Sequence, residues 1–266
     1  VRRGQVIQAQ IAHQIPTQTQ GLFMNSRRAA FSDDRVRQAL EREANQLLGA
    51  DMLLTADHPW KPDLRIAAQA RGLSVVETQT FPSMVSIGEG DGLRAQLADI
   101  KAVEAGYPLR GALRISDGVA ATDRRADGVP EPGAVWIDER LAATLAAGVG
   151  ERIAVGQRVL RIDAILTFEP DRGLNFFSVA PRLLMNVMDV PSTALIQPGS
   201  RIRYRLLFSG ELKEINEFRS YVDKALERGE RIEDTENARP EVRAALDRAQ
   251  RFLGISALLT VVLAAV

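Results

Sequence analysis

The last fifteen residues of the chain, 252–266 (FLGISALLTVVLAAV), carry no charge, and they constrain the fold more than any other stretch. A helix that crosses a bilayer needs about 20 apolar residues. This run is apolar on all sides and reaches the end of the given sequence, so it reads as the start of a truncated transmembrane helix. The stretch before it is charged and helical in pattern. Pro240 suits a first-turn position, and Val242, Ala245, Leu246 and Ala249 fall on one face. A stalk helix over 237–251 is therefore expected to leave water near Arg251. A buried C-terminal core helix is the competing reading.

The N-terminus has the opposite character. Residues 1–32 hold six glutamines in the first twenty positions, the arginines Arg2, Arg3, Arg27 and Arg28, and no acid before Asp33. No apolar run there matches a signal-peptide core or a membrane helix. Lacking a face that could pack, 1–32 is expected to be a disordered or non-native tail.

Between these ends the composition is that of a folded protein. Of 266 residues, 45% are hydrophobic and 26% charged, which excludes collagen-like and disordered classes. Lys+Arg and Asp+Glu are each 34, so the chain lacks the basic surplus of a nucleic-acid binder. With no cysteine, disulfides, thiolate zinc sites, iron–sulfur clusters and cysteine nucleophiles are excluded. Two histidines, His13 and His58, leave little room for chemistry that needs a histidine cluster. Lysine occurs only at Lys61, Lys101, Lys213 and Lys224. The many arginines suit bidentate pairing with carboxylates and read as compositional bias rather than as a binding signal.

Periodicity places the elements. Val36, Leu40, Ala44, Leu47 and Leu48 give a helix over 33–50. A strand follows at 51–55, a turn at 57–60, a helix over 62–71 closed by Gly72, an extended run over 73–87, a glycine turn at 88–92 and a returning strand over 93–104. Residues 112–115 and 135–137 read as strands separated by a polar loop at 117–133. A short helix spans 138–147, and 148–166 forms two strands about a turn at Gly156-Gln157. Beyond these, 181–188 reads as a short helix on Leu183, Leu184 and Val187. Residues 200–208 alternate as a strand. The segment 209–228 is a helix with a stripe of Leu212, Ile215, Phe218, Val222 and Leu226, and 231–236 could add an edge strand. The expected architecture is α+β: an α/β part over 51–106 and 176–236, with a β-rich part inserted over 107–175.

Motifs for catalysis are missing. There is no H-E-x-x-H, no P-loop and no G-x-S-x-G; Arg114-Ile-Ser116-Asp-Gly118 lacks the first glycine. Gly148-Val-Gly150 lacks the third glycine of a dinucleotide loop and lies between a helix and a strand, the wrong order. Gly88-Glu-Gly-Asp-Gly92 lacks calcium-ligand spacing and reads as a hairpin turn. His58, before Pro59, reads as a loop residue. Asp123-Arg124-Arg125 and Glu233-Asp234 read as solvated loops. No carboxylate pair stands out, so no catalytic, cofactor-binding or metal-binding residue is assigned, and the substrate-binding residues are unknown.

Three ordered stretches carry a resemblance: DRVRQALEREANQLLGAD at 34–51; VWIDERL at 135–141 with GERIAVG at 150–156; and APRLLMNVMD at 180–189 with QPGSRIRY at 197–204. Together they resemble the extracytoplasmic core domain of bacterial ABC-transporter permeases of the MacB/FtsX type, and the YbbP-like permeases most. The likeness covers residues 33–266. It implies a porter-like α/β subdomain with a β-rich insert between two stalk helices, set in the periplasm and anchored in the bacterial inner membrane. It also implies a first membrane helix just before Asp33, which 1–32 does not supply, and further ones after Val266. The implied function is mechanotransmission: a separate cytoplasmic ABC-type ATPase binds ATP, and two permease copies convert its closure into export or release of a lipophilic or amphiphilic substrate, or a signal to a periplasmic partner. On this reading the chain is not an enzyme, needs no cofactor of its own and binds no nucleic acid. The alternative is a membrane-anchored binding or sensor module with no ATPase.

Overall fold

The structure is a computed structural model that describes residues 48–174, 180–197 and 199–233. The expected tail (1–32), the helix over 33–50 up to Leu47, the stalk helix over 237–251 and the apolar run 252–266 lie outside the described residues. Among the described residues no helix is long and apolar enough to cross a membrane.

The strands are β1 (Met52–Ala56), β2 (Ser74–Ile87), β3 (Arg94–Val103), β4 (Arg114–Ser116), β5 (Arg124–Arg125), β6 (Ala134–Asp138), β7 (Arg152–Val155), β8 (Arg158–Phe168), β9 (Arg182–Asn186), β10 (Arg203–Ser209) and β11 (Arg231–Glu233). The helices are α1 (Pro62–Gln69), α2 (Glu139–Leu145), α3 (Val190–Thr193) and α4 (Leu212–Ala225). The fold is α+β. Eleven strands form one hydrogen-bonded sheet, ordered β11-β1-β10-β2-β3-β9-β6-β8-β4-β5, with β7 bridging β2 and β8.

That bridge closes a ring. β2 pairs with β3, β3 with β9, β9 with β6, β6 with β8, β8 with β7, and β7 returns to β2 at Val85↔Val155 and Ser86↔Ala154. Closure hides strand edges that would otherwise present unpaired backbone. Phe81, Val85, Ile100, Ile137, Ile153, Val155, Leu160, Ile162, Leu183 and Met185 belong to the core cluster of this ring, and Leu141 and Leu145 of α2 join them. Strand β2 spans the whole arrangement. Its first half pairs with β10 and its far end with β7.

The remaining part of the sheet is covered by helices. On β1 and β10, Met52, Leu54, Leu206 and Phe208 pack against Ala68 of α1 and Ile215, Phe218 and Val222 of α4. The three- and four-residue spacing of the α4 positions puts them on one helix face. Phe208 and Phe218 meet with ring centroids 5.0 Å apart. Pro62 opens α1 at a position whose N–H needs no partner. Asp138 caps α2, its Oδ1 accepting from the Leu141 backbone N–H at 2.8 Å.

Three expectations need correction. Residues 181–188 are not a helix: Arg182–Asn186 is β9, all five residues are buried, and the strand lies between β3 (parallel) and β6 (antiparallel). A strand buried on both faces loses the alternation that marks a half-exposed one, so Leu183-Leu184-Met185 matches a helical stripe equally well. Leu212, assigned to the apolar stripe of α4, is exposed in its first turn. The loop at 117–133 contains the two-residue strand β5, paired with β4.

Gly156, in the β7–β8 turn, shows how tightly the ring closes. Its φ is +59°, and a Cβ there would collide with the Thr193 carbonyl oxygen and lie 2.8 Å from Leu195 Cγ. Gly156→Ala is expected to cost ~2 kcal/mol or more, combining a left-handed backbone with overpacking. Urea denaturation of the variant checks it; an unchanged midpoint would contradict the packing described.

Candidate functional site

The strongest concentration of charge lies inside the protein. Lys101, at an outward-facing position of β3, is 1% exposed. Its Nζ donates to Glu169 Oε1 at 2.7 Å, to Asp171 Oδ1 and Oδ2 at 2.7 and 2.6 Å, and to Tyr107 Oη at 2.7 Å. The Tyr107 hydroxyl donates to Asp171 Oδ1, and the ammonium lies 4.3 Å from the Tyr107 ring centroid. Arg182 on β9 extends the cluster, with Nε donating to Glu169 Oε2 at 2.9 Å and Nη1 to Asp99 Oδ2 at 2.8 Å. Arg205 on β10 lies 3.8 Å from Asp171 and donates to Glu233 Oε2 at 3.0 Å.

The network gathers distant parts of the chain. Lys101 and Asp99 come from β3, Arg182 from β9, Arg205 from β10 and Glu233 from β11. Glu169 and Asp171 come from the turn Glu169-Pro-Asp171 that follows β8. Adjoining it, Arg172 donates to Asp138 Oδ2 and so joins that turn to the start of α2. A bare ammonium in such a place would pay a large desolvation cost, and the shared carboxylates offset it.

The ionisation states follow from the same geometry. Burial alone would push the Glu169 carboxyl up, but Arg182 and Lys101 prevail and hold it well below the usual carboxylate range. Burial opposes the charge on Arg182, but Glu169 and Asp99 raise it above the ordinary guanidinium value. Burial, with Asp171 and Glu169 beside it, pushes the Tyr107 phenol well above its ordinary value, so it stays a neutral donor. An amine that donates to two carboxylates and a phenol and is closed to solvent offers a substrate no approach path for nucleophilic work. The network acts as a brace. Among the described residues no group of three or more His, Asp or Glu side chains is placed to hold a metal ion.

The residues singled out from sequence lie elsewhere. His13 and Asp234 lie outside the described residues. Gly88–Gly92 forms the β2–β3 turn, and Gly148–Gly150 leads into β7. Asp123 pairs with Arg114 across the β4–β5 loop. Glu233, expected in a solvated loop, ends a paired strand and takes the Arg205 guanidinium. His58 is more than a loop residue. Its Nδ1 is 2.9 Å from Asp57 Oδ1 and its Nε2 is 3.3 Å from Oε1 of the nearly buried Glu230. Lys61 pairs with Glu227 alongside it. Together these contacts clasp the β1–α1 turn to the α4–β11 turn.

The sequence signal for the brace was slight. Lys101 is one of four lysines in an arginine-rich chain, and Glu169-Pro-Asp171 places two acids two positions apart. Nothing in the pattern joins these two features, which are 68 residues apart.

The 33% identity over 231 residues to the ABC transporter permease YbbP of Escherichia coli K12, itself uncharacterized, covers 87% of this chain. Along most of its own length the chain is therefore similar to an ABC transporter permease. It spans 27% of the length of that relative. No protein-family model matches it. Among solved structures it resembles the periplasmic region of MacB from Actinobacillus actinomycetemcomitans, at 14% identity and a TM-score of 0.47, covering 77% of this chain and 98% of that one. It also resembles the extracellular domain of the transporter YknZ from Gram-positive bacteria, at 10% identity and a TM-score of 0.43, covering 69% and 100%.

Two predictions follow from the charges. Lys101→Met removes the cation shared by Glu169 and Asp171 and is expected to destabilise by ~3 kcal/mol at neutral pH. Glu169 has a folded value below its unfolded one, so its contribution is present above about pH 4.3 and is lost as pH falls. The gap between Lys101→Met and wild type should therefore narrow below about pH 4, as read by urea denaturation across pH. The clasp has the opposite sign. Only an imidazolium can donate to both Asp57 and Glu230, and the Asp57 and Glu230 contacts raise the His58 value despite some burial. Its contribution is full below about pH 6.5 and is lost as pH rises through the raised value. His58→Ala should lower the Tm at about pH 6 and leave it unchanged at about pH 9.

Proposed function

We propose that this chain is the extracytoplasmic core of an ABC-transporter permease. A separate cytoplasmic ATPase drives it, and it serves the export or release of a lipophilic or amphiphilic substrate by mechanotransmission. The observation that carries this reading is the 33% identity to YbbP along 87% of the chain. The uncharged run 252–266 is consistent with a neighbouring membrane helix.

The structure suits a part that moves as a body. In mechanotransmission a movement arriving at one edge must reach the far side without being absorbed by local bending. A closed ring of strands, joined through β2 to a helix-covered sheet and braced by Lys101, Arg182 and Arg205, resists such bending. Chemistry belongs to the ATPase on this reading, which is why no catalytic residue is assigned here. The substrate site, a pair of permease copies and a periplasmic location belong to the proposal as well.

The test uses the full-length gene expressed with the ATPase gene that neighbours it. The expected result is co-purification of the two proteins in detergent and ATP hydrolysis by the pair. This stretch holds no cysteine, so once any cysteine elsewhere in the full-length protein is replaced, a spin label can be placed at a single introduced site, Ser220→Cys on the exposed side of α4. A label-to-label distance between two copies should change on ATP addition. A membrane protein that purifies without an ATPase, and whose label distances ignore nucleotide, would favour the anchored-sensor alternative.

A further inference from the structure

Four of the eleven exposed large apolar side chains among the described residues gather on one outer face of the ring. Leu97 and Met84 are directly opposite each other on β3 and β2 and are 47% and 54% exposed. One row further on, Ala95, Ser86, Ala154 and Val159 face one another in turn across β3, β2, β7 and β8, and Val159 is 57% exposed. Leu93, 56% exposed, continues the β3 alternation at the hairpin end. Opposite faces of the same strands carry Val85, Ile153, Val155 and Leu160, which fill the ring. The outer face is therefore greasy without any need of the ring's own core.

Side-chain size gives the face two levels: the row of small residues Ala95, Ser86 and Ala154 is the floor, and the larger Leu97 and Met84 of the next row form one bank. Continued through Val159, the row crosses four strands, about 14 Å, the length of about ten residues of helix. Charge marks the other bank. Arg152 and Arg161 are directly opposite each other on β7 and β8, one row beyond Ala154 and Val159. Like charges so placed repel unless an anion comes between them. Arg161 is held by Asp163, with Nε 2.5 Å from Oδ1. Arg152 is exposed and makes no ion pair among the described residues. The bank thus keeps a positive charge beside an apolar floor.

We infer that this face docks an amphipathic helix of a partner protein, with its apolar stripe over Ala95, Ser86 and Ala154 and carboxylates against Arg152. Helix-in-groove recognition needs an apolar anchor row together with flanking charge that sets orientation, and both are present here. The argument uses no part of the transport reading, and its test leaves that reading untouched.

The test uses the 266-residue chain. The probe is a fluorescein-labelled helical peptide of about 18 residues, with leucines at i, i+3, i+4 and i+7 and glutamates on the flanks. Controls carry lysine for glutamate or serine for leucine. Fluorescence anisotropy should show saturable micromolar binding of the acidic peptide only, weakening as salt rises. Leu97→Glu and Arg152→Glu should each weaken it about tenfold or more. Both side chains are exposed, and thermal melting by circular dichroism confirms that the variants remain folded. The inference is overturned if the acidic peptide does not bind, if the lysine peptide binds equally, or if both variants bind like wild type. It is also overturned if only phosphatidylethanolamine–phosphatidylglycerol vesicles bind in flotation, which assigns the face to lipid. Self-association of wild type that Leu97→Glu abolishes, seen by light scattering in place of peptide binding, assigns it to a second copy.

Discussion

The structure depends on a lysine that could not remain where it is alone. Lys101 is enclosed on the outer side of β3, and its charge is tolerable only because Glu169 and Asp171 converge on it from the turn after β8. The carboxylates in turn require Arg182 and Arg205, which β9 and β10 supply. Each ion is thus a condition for the next. The turn at Glu169 is fixed against β3, β9 is fixed between β3 and β6, and β10 is tied to β11 through Glu233. The apolar clusters supply the bulk of the driving force for folding. They do not choose between nearby registers of buried strands as sharply as a set of charges with one matching arrangement.

A second division of labour runs along β3. Its inward residues, Ala98, Ile100 and Ala102, fill the ring. Its outward residues pass from Val103 and Lys101 under the brace, through Asp99 on Arg182, to Leu97 and Ala95 in the open. One strand therefore supplies a dry core on one side and, on the other, both a charged anchor and an apolar surface. The period-two geometry of a strand makes this possible, because neighbouring residues answer to different surroundings.

Much of the architecture was legible in the residues. The β2–β3 pair, the β7–β8 turn at Gly156, the stripe of Ile215, Phe218 and Val222, and the edge strand at Arg231 all follow from spacing that local sequence controls. Two of the differences come from contacts with distant segments. The residues of β9 match a helical pattern because a strand buried on both faces shows no alternation. Glu233 reads as solvated because its partner Arg205 lies far along the chain, and the contact that the loop residue His58 makes with Glu230 is out of reach of local sequence for the same reason.

The sequence by itself determined the α+β class, most element positions and the resemblance to YbbP-like permeases. Each is set by local periodicity, composition or short ordered motifs. Only the tertiary structure decided that β7 closes β2 onto β8, that Lys101 meets Glu169 and Asp171, and that Met84, Leu97 and Val159 share an open face. Those facts depend on strand register between distant segments. Register is chosen by the combined burial and charge pairing of the whole sheet, not by any stretch that can be read alone.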